Sequence, residues 1–192
     1  LNKITQIYCS QKNKDKNMNK FLVLFCMSCS TFVQAADVYE ANDAFQAMLN
    51  LKGDWVGEAR VVPVGGNIED VEATSTSVSF KVIGNSSVMQ TFAAGTPAEM
   101  VSMYHQNGKN ELIHTHYCAI GNQPSMTFRR SSGENEIDFQ FSKGTNMDVN
   151  LDPHAHNSFF KIIDDDTYET RTENWGGGKI TSYRHTVMKR IR

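Results

Sequence analysis

Asn42-Asp43-Ala44-Phe45-Gln46-Ala47-Met48-Leu49, running into Leu51-Lys52-Gly53-Asp54-Trp55-Val56-Gly57, is where the chain changes period. Before Gly53, Phe45, Met48 and Leu49 recur at helical spacing, with Asn42 placed to cap the first turn and Gly53 to stop the last, so a short helix is expected over 43–49. Beyond Gly53 the period drops to two. Segments rich in Val, Thr, Ser and aromatics then read as strands at 54–62, 71–83, 88–93, 100–105, 111–118, 126–130, 136–141, 158–163, 168–175 and 180–190. Turn chemistry separates them: Asn107-Gly108, Gly121-Asn122-Gln123-Pro124, Ser132-Gly133, Asp164-Asp165-Asp166 and Gly176-Gly177-Gly178. About nine or ten short antiparallel strands with one N-terminal helix predict a single all-β domain, closed as a barrel or stacked as a sandwich, the two ways such sheets manage their edges.

Gly53-Asp54-Trp55, directly after a short helix, resembles the Gly-x-Trp opening of the calycin superfamily of lipocalins, fatty-acid-binding proteins and nitrobindins. The resemblance implies a barrel over 36–192, with the Trp55 ring plugging one end and a basic residue of the last strand, Arg190 or Arg184, packed across it. His116-Tyr117-Cys118, Gly121-Asn122-Gln123-Pro124 and His154-Ala155-His156 extend the likeness to a bacterial calycin-like family of unknown function. A nitrobindin would also bind haem, through a histidine late in the barrel, and by position that residue is His185. Against haem, the nitrobindin opening Gly-x-Trp-x-Gly-x-Gly-x-Gly-x-Tyr-Pro is kept at Gly53, Trp55 and Gly57, while Ala59, Val61, Pro63 and Val64 depart from it.

The first 35 residues read as an upstream extension followed by a secretory signal at about 18–35. Met18-Asn19-Lys20 supplies the positive start, Phe21 to Met27 the apolar run, and Val33-Gln34-Ala35 the cleavage site. The apolar run is too short to span a bilayer, and the mature chain is expected to carry no membrane span. Cys29 is a poor lipid-attachment site, because Cys26-Met27-Ser28 precedes it, so a periplasmic or secreted protein is expected. Taking the five lysines and one aspartate of this segment from the 19 basic and 21 acidic residues leaves 14 and 20, a net charge of about −6. The remaining basic residues are scattered, which argues against nucleic acid as a partner. Cys118 alone is left of four cysteines, so an exported fold of about 155 residues must stand on its core without a disulfide.

Chemistry concentrates in His114-Thr115-His116-Tyr117-Cys118 and His154-Ala155-His156. On a strand, alternation puts His114, His116 and Cys118 on one face with Leu112. The opposite face carries Glu111, costlier to bury than a neutral imidazole, so the histidines are expected to point inward. His154, His156, Ser158, Phe160 and Ile162 alternate likewise, with His154 held near the barrel mouth by Asp152-Pro153. Were both faces internal, His114, His116, Cys118 and His156 would supply nitrogen and sulfur donors suited to Zn²⁺, Cu or Fe, with Met100, Met103 and Met126 as soft neighbours. Asn122 is placed to reach the mouth. The sequence therefore points to a small-molecule or metal-binding barrel with ligand contacts at His114, His116, Cys118, Asn122, His154 and His156. The alternatives are a metal-dependent enzyme using the same histidines, with Asp138, Asp148 or Asp152 as the acid to find nearby, and a non-catalytic envelope accessory protein.

Overall fold

A computed structural model describes residues 39–129, 133 and 135–192 of the protein. The expected upstream segment, signal peptide and Cys29 lie outside the described residues. Helix α1, Ala41–Asn50, is followed by ten strands: β1 Gly53–Pro63, β2 Thr74–Ile83, β3 Ser87–Phe92, β4 Met100–Gln106, β5 Leu112–Tyr117, β6 Gln123–Arg129, β7 Glu136–Thr145, β8 His154–Asp164, β9 Thr167–Gly176 and β10 Lys179–Arg190. Each strand pairs antiparallel with its sequence neighbour, and β10 returns to β1 to close the barrel. The expected helix is extended at both ends, and Glu40 rather than Asn42 is its N-cap: the Glu40 amide donates to the Asp43 carboxylate at 3.2 Å, three residues on.

Hairpin connections alternate ends, and α1 caps one of them. At the capped end Trp55 is fully buried, and its indole N–H donates to the Leu51 carbonyl at 2.8 Å, tying the helix exit to the barrel floor. Tyr168 meets Trp55 edge-on at 4.7 Å, and Phe45 and Met48 of α1 close the plug. Each such apolar side chain, buried, contributes about 1.5–3 kcal/mol. Arg190 lies 4.2 Å over the Trp55 ring and donates to the carbonyls of Lys52, Asn50 and Asp165, so Arg190 fills the role the resemblance assigned to the last strand. Above the plug, Tyr104, Leu112, Ile137, Phe139 and Phe160 fill the barrel at 0–2% exposure. The capped half is thus solid with side chains. Among the described residues no helix is long and apolar enough to cross a membrane.

Candidate functional site

The pleat of β5 sends Leu112, His114 and His116 inward, at 0, 4 and 8% exposure, as their alternation predicts. Opposite them on β4 stand Tyr104, paired with His114, and Ser102, paired with His116. The Ser102 hydroxyl lies 2.9 Å from His114 Nε2 and 3.0 Å from His116 Nδ1, joining the two rings. Tyr104 stacks on His114 at 4.5 Å, Phe139 meets its edge at 5.3 Å, and Phe92 meets the edge of His116 at 5.8 Å. Burial, then the neighbouring His116, holds His114 well below the usual histidine range, and burial brings His116 down to about 4. Both rings are neutral at neutral pH. His114 Nδ1 is buried without a partner. A stranded N–H is the costlier orphan, so the favoured arrangement has His114 Nε2–H donating to Ser102 and Ser102 donating to His116 Nδ1. His116 then keeps its proton on Nε2, as a donor.

The second pair sits where β8 begins. His154, 4% exposed, has Nδ1 2.8 Å from the Asp152 carbonyl, which only accepts, so Nδ1 carries the proton. Its Nε2 therefore accepts from His156 Nδ1, 3.0 Å away, and His156 Nε2 is left as an acceptor. A β-bulge between Ala155 and Asn157 takes His156 out of the β8–β9 ladder. The ring lies between Phe141, stacked at 4.5 Å, and Trp175, stacked at 4.3 Å. Burial, then His154, lowers the His156 pKa against the opposing pull of Glu173. Asn122, 4% exposed, donates to the Pro153 carbonyl at 2.8 Å and so ties the β5–β6 turn to the segment leading into His154, while its own carbonyl oxygen is buried and unpartnered.

The residues expected as ligand contacts fall in two groups with different partners, and His114 lies in the packed layer beside Tyr104 and Phe139. The expected gathering of His114, His116, Cys118 and His156 around one metal is not formed: among the described residues no three His, Cys, Asp or Glu side chains are placed to hold an ion. Cys118 is a free thiol that faces Met100 Sδ at 3.8 Å, and Met126 is fully buried core. Asp138 accepts from Gln140 and Asp148 from the Asn150 amide, while the Asp152 carboxylate accepts from the Asp148 amide and only its backbone carbonyl meets His154. His185 corrects the haem expectation. It shares its strand face with Tyr183 and the exposed Val187, opposite to buried Thr186 and Met188, and borders an outer groove with Phe159, Glu169 and Arg171. A haem in the lumen has no axial ligand there.

Sequence reading did not single out Ser102, Tyr104, Phe141 or Trp175. Period placed each on a strand, but only the register brings Ser102 opposite His116, or Trp175 opposite His154.

No family model and no curated protein matches the chain. Solved structures do. A protein of unknown function from the DUF3598 family of Nostoc punctiforme PCC 73102 superposes with a TM-score of 0.52 at 14% identity over 75% of this chain. The chain spans 48% of that protein's length. Rv2717c from M. tuberculosis superposes with a TM-score of 0.55 at 15% identity, over 78% of this chain and 98% of its own. The likeness is one of fold. At these identities it extends to an antiparallel β-barrel and to nothing bound or catalysed.

Proposed function

We propose that the protein is an exported, calycin-like barrel that binds a small organic ligand in the half opposite α1, against His116, Asn122, His154 and His156. One observation carries this reading. Beyond the packed layer of Tyr104 and Phe139 the barrel holds the oriented imidazoles of His116, His154 and His156 together with buried polar atoms that have no partner, Asn122 Oδ1 and Trp175 Nε1. Buried polar groups are nearly always satisfied, and a small number of fixed polar groups in a concave aromatic wall is what orients a small ligand. Histidines split into two hydrogen-bonded pairs, with the nearby carboxylates engaged elsewhere, favour binding over metal-assisted hydrolysis, which needs three ligands or a poised base.

The test is native mass spectrometry of the protein from Ala36 onward, purified from a bacterial periplasm without a histidine tag or chelator. A mass excess of an organic molecule, lost in His116→Ala while the circular dichroism spectrum is kept, is the expected result. Retention of the excess in His116→Ala sinks the assignment, and an excess equal to a Zn, Cu or Fe ion replaces the organic ligand with a metal.

A further inference from the structure

The five connections at the end of the barrel opposite α1, residues 64–73, 93–99, 118–122, 146–153 and 177–178, differ in composition from the rest of the chain. They carry six carboxylates, Glu69, Asp70, Glu72, Glu99, Asp148 and Asp152, and no lysine or arginine; Lys179, the first residue of β10, is the basic residue next to them in sequence. Residues 36–192 hold 20 acidic and 14 basic residues, so the 14 acids outside these loops equal the bases and the six on the loops are the whole net charge. All six are exposed, and none is ion-paired among the described residues. The same loops present Val64, Ile68, Ile120, Val149 and Leu151 to solvent, Ile120 and Leu151 at 65 and 66% exposure. Hydrogen bonds stitch neighbouring connections into one arc. The Val64 amide donates to the Thr181 carbonyl near the start of β10 at 3.2 Å, and the Gly177 amide to the Leu151 carbonyl at 3.0 Å. The side chains of Asn146 and Asn122 donate to the Gly121 and Pro153 carbonyls at 2.7 and 2.8 Å. Exposed apolar side chains on one rim, bordered by polar groups, mark an interaction surface.

We propose that this rim docks a basic, amphipathic polypeptide segment, whose lysines or arginines meet the loop carboxylates while its apolar side chains cover Ile120, Val149 and Leu151. The surface goes beyond the small-ligand reading and does not depend on it, because these side chains stand on the outside of the loops whereas His116 and His154 are buried. Charge complementarity names the occupant. Carboxylates without a cation among them repel anionic headgroups and phosphates and draw in a basic chain. They do not gather on an ion: among the described residues no three His, Cys, Asp or Glu side chains are placed to hold one. Glu99, Asp148 and Asp152 instead each accept from a backbone amide of their own loop, of Gly95, Asn150 and Asp148 in turn. An amide is neutral, so these bonds shape the loops and leave their charge to be balanced by a partner. The sign of the rim selects a basic chain and speeds its arrival, and the apolar tips hold it once docked.

Fluorescence anisotropy of labelled probe peptides titrated with the protein tests the assignment. The probes are a short amphipathic helix of lysine and leucine, its counterpart with glutamate for lysine, and a lysine–glycine peptide of the same charge as the first. The lysine–leucine peptide is expected to bind about tenfold or more tighter than either of the others. Its binding should weaken as salt rises from about 0.1 to 1 M, over which the screening length falls from about 10 to 3 Å. Ile120→Ser combined with Leu151→Ser should weaken it about tenfold or more. Glu69→Gln, Asp70→Asn and Glu72→Gln together should weaken it and flatten its salt dependence. The thermal midpoint should hold in both variants, since all five side chains are exposed. Equal affinity for the lysine–leucine and glutamate–leucine peptides overturns the basic partner. Equal affinity for the lysine–glycine peptide, or loop variants that bind as the unaltered protein does, overturns the rim as the docking surface. Phosphatidylcholine vesicles that displace the peptide overturn the polypeptide in favour of a membrane surface, and failure of the lysine–leucine peptide to bind overturns the proposal outright. The comparison of the three peptides requires no variant, so a misfolded loop variant does not shield it.

Discussion

His116 bears the most direct consequence of its surroundings. Its pKa is about 4 in the folded protein against 6.5 for the free side chain, because burial disfavours the imidazolium. Between those values the unfolded chain takes up a proton that the folded chain refuses, so stability is complete above pH 6.5 and declines as pH falls toward 4. A shift of this size, at about 1.4 kcal/mol for each pH unit, removes on the order of 3 kcal/mol, and His114, lowered by its own burial, adds in the same direction. Urea unfolding at intervals from pH 7.5 to 4 should show the decline, and His116→Asn should flatten it; an unchanged slope in that variant would mean that another group titrates. The inward phase of His114 and His116 was legible because burying Glu111 would cost more than burying a neutral ring. Ser102, which joins the two rings, was not legible, since nothing in a strand's own period says which residue its neighbour places opposite.

At the scale of elements, β1 shows why the Gly-x-Trp-x-Gly opening reads as it does. Trp55 needs a floor position, and Gly57 needs to be bare: a Cβ there would stand 2.0 Å from the Val187 carbonyl on β10, in the pairing that closes the barrel. Backbone cannot yield as a side-chain end can, so Gly57→Ala should lower stability by about 3 kcal/mol or more. Gly65→Ala, with open space around its Cβ and strain only from a φ of +81°, should lose about 1 kcal/mol. Denaturant midpoints of the two variants check the ordering. Arg190 is the complementary element: it satisfies carbonyls at the end of α1 and covers Trp55, so Arg190→Met, which retains an apolar cover, should still cost about 2 kcal/mol by leaving those carbonyls to water or to nothing. These elements were readable because period, turns and one glycine-tryptophan pair are local properties. The β8 bulge was not, and it alone explains why His156 leaves the simple alternation that its spacing with His154 implies. The misplaced haem expectation at His185 has the same root: position late in the barrel does not fix strand phase, which Thr186 and Met188 settle the other way.

For the molecule as a whole, closure makes a continuous ladder from Trp55 opposite Arg190 round to Val78 opposite Trp55, so neither end of the sheet is an edge. What differs between the two ends is packing. The capped half has its helix, its tryptophan plug and side chains at 0–2% exposure, whereas the other half has hydroxyls, imidazoles and loop residues such as Ile120 and Leu151 at 65 and 66% exposure. Local opening is easiest where few apolar contacts must be broken, and ligand sites are drawn from that low-stability end. Amide hydrogen exchange should therefore be graded along the barrel axis. Amides of Trp55, Tyr104 and Tyr168 should exchange only through global unfolding, and those of 118–122 and 146–153 should exchange faster by orders of magnitude. A small organic ligand bound at that end should slow the second group and leave the first unchanged. Uniform protection from end to end would mean that the polar half is as rigid as the plug, and a ligand would then meet a preformed surface rather than order one.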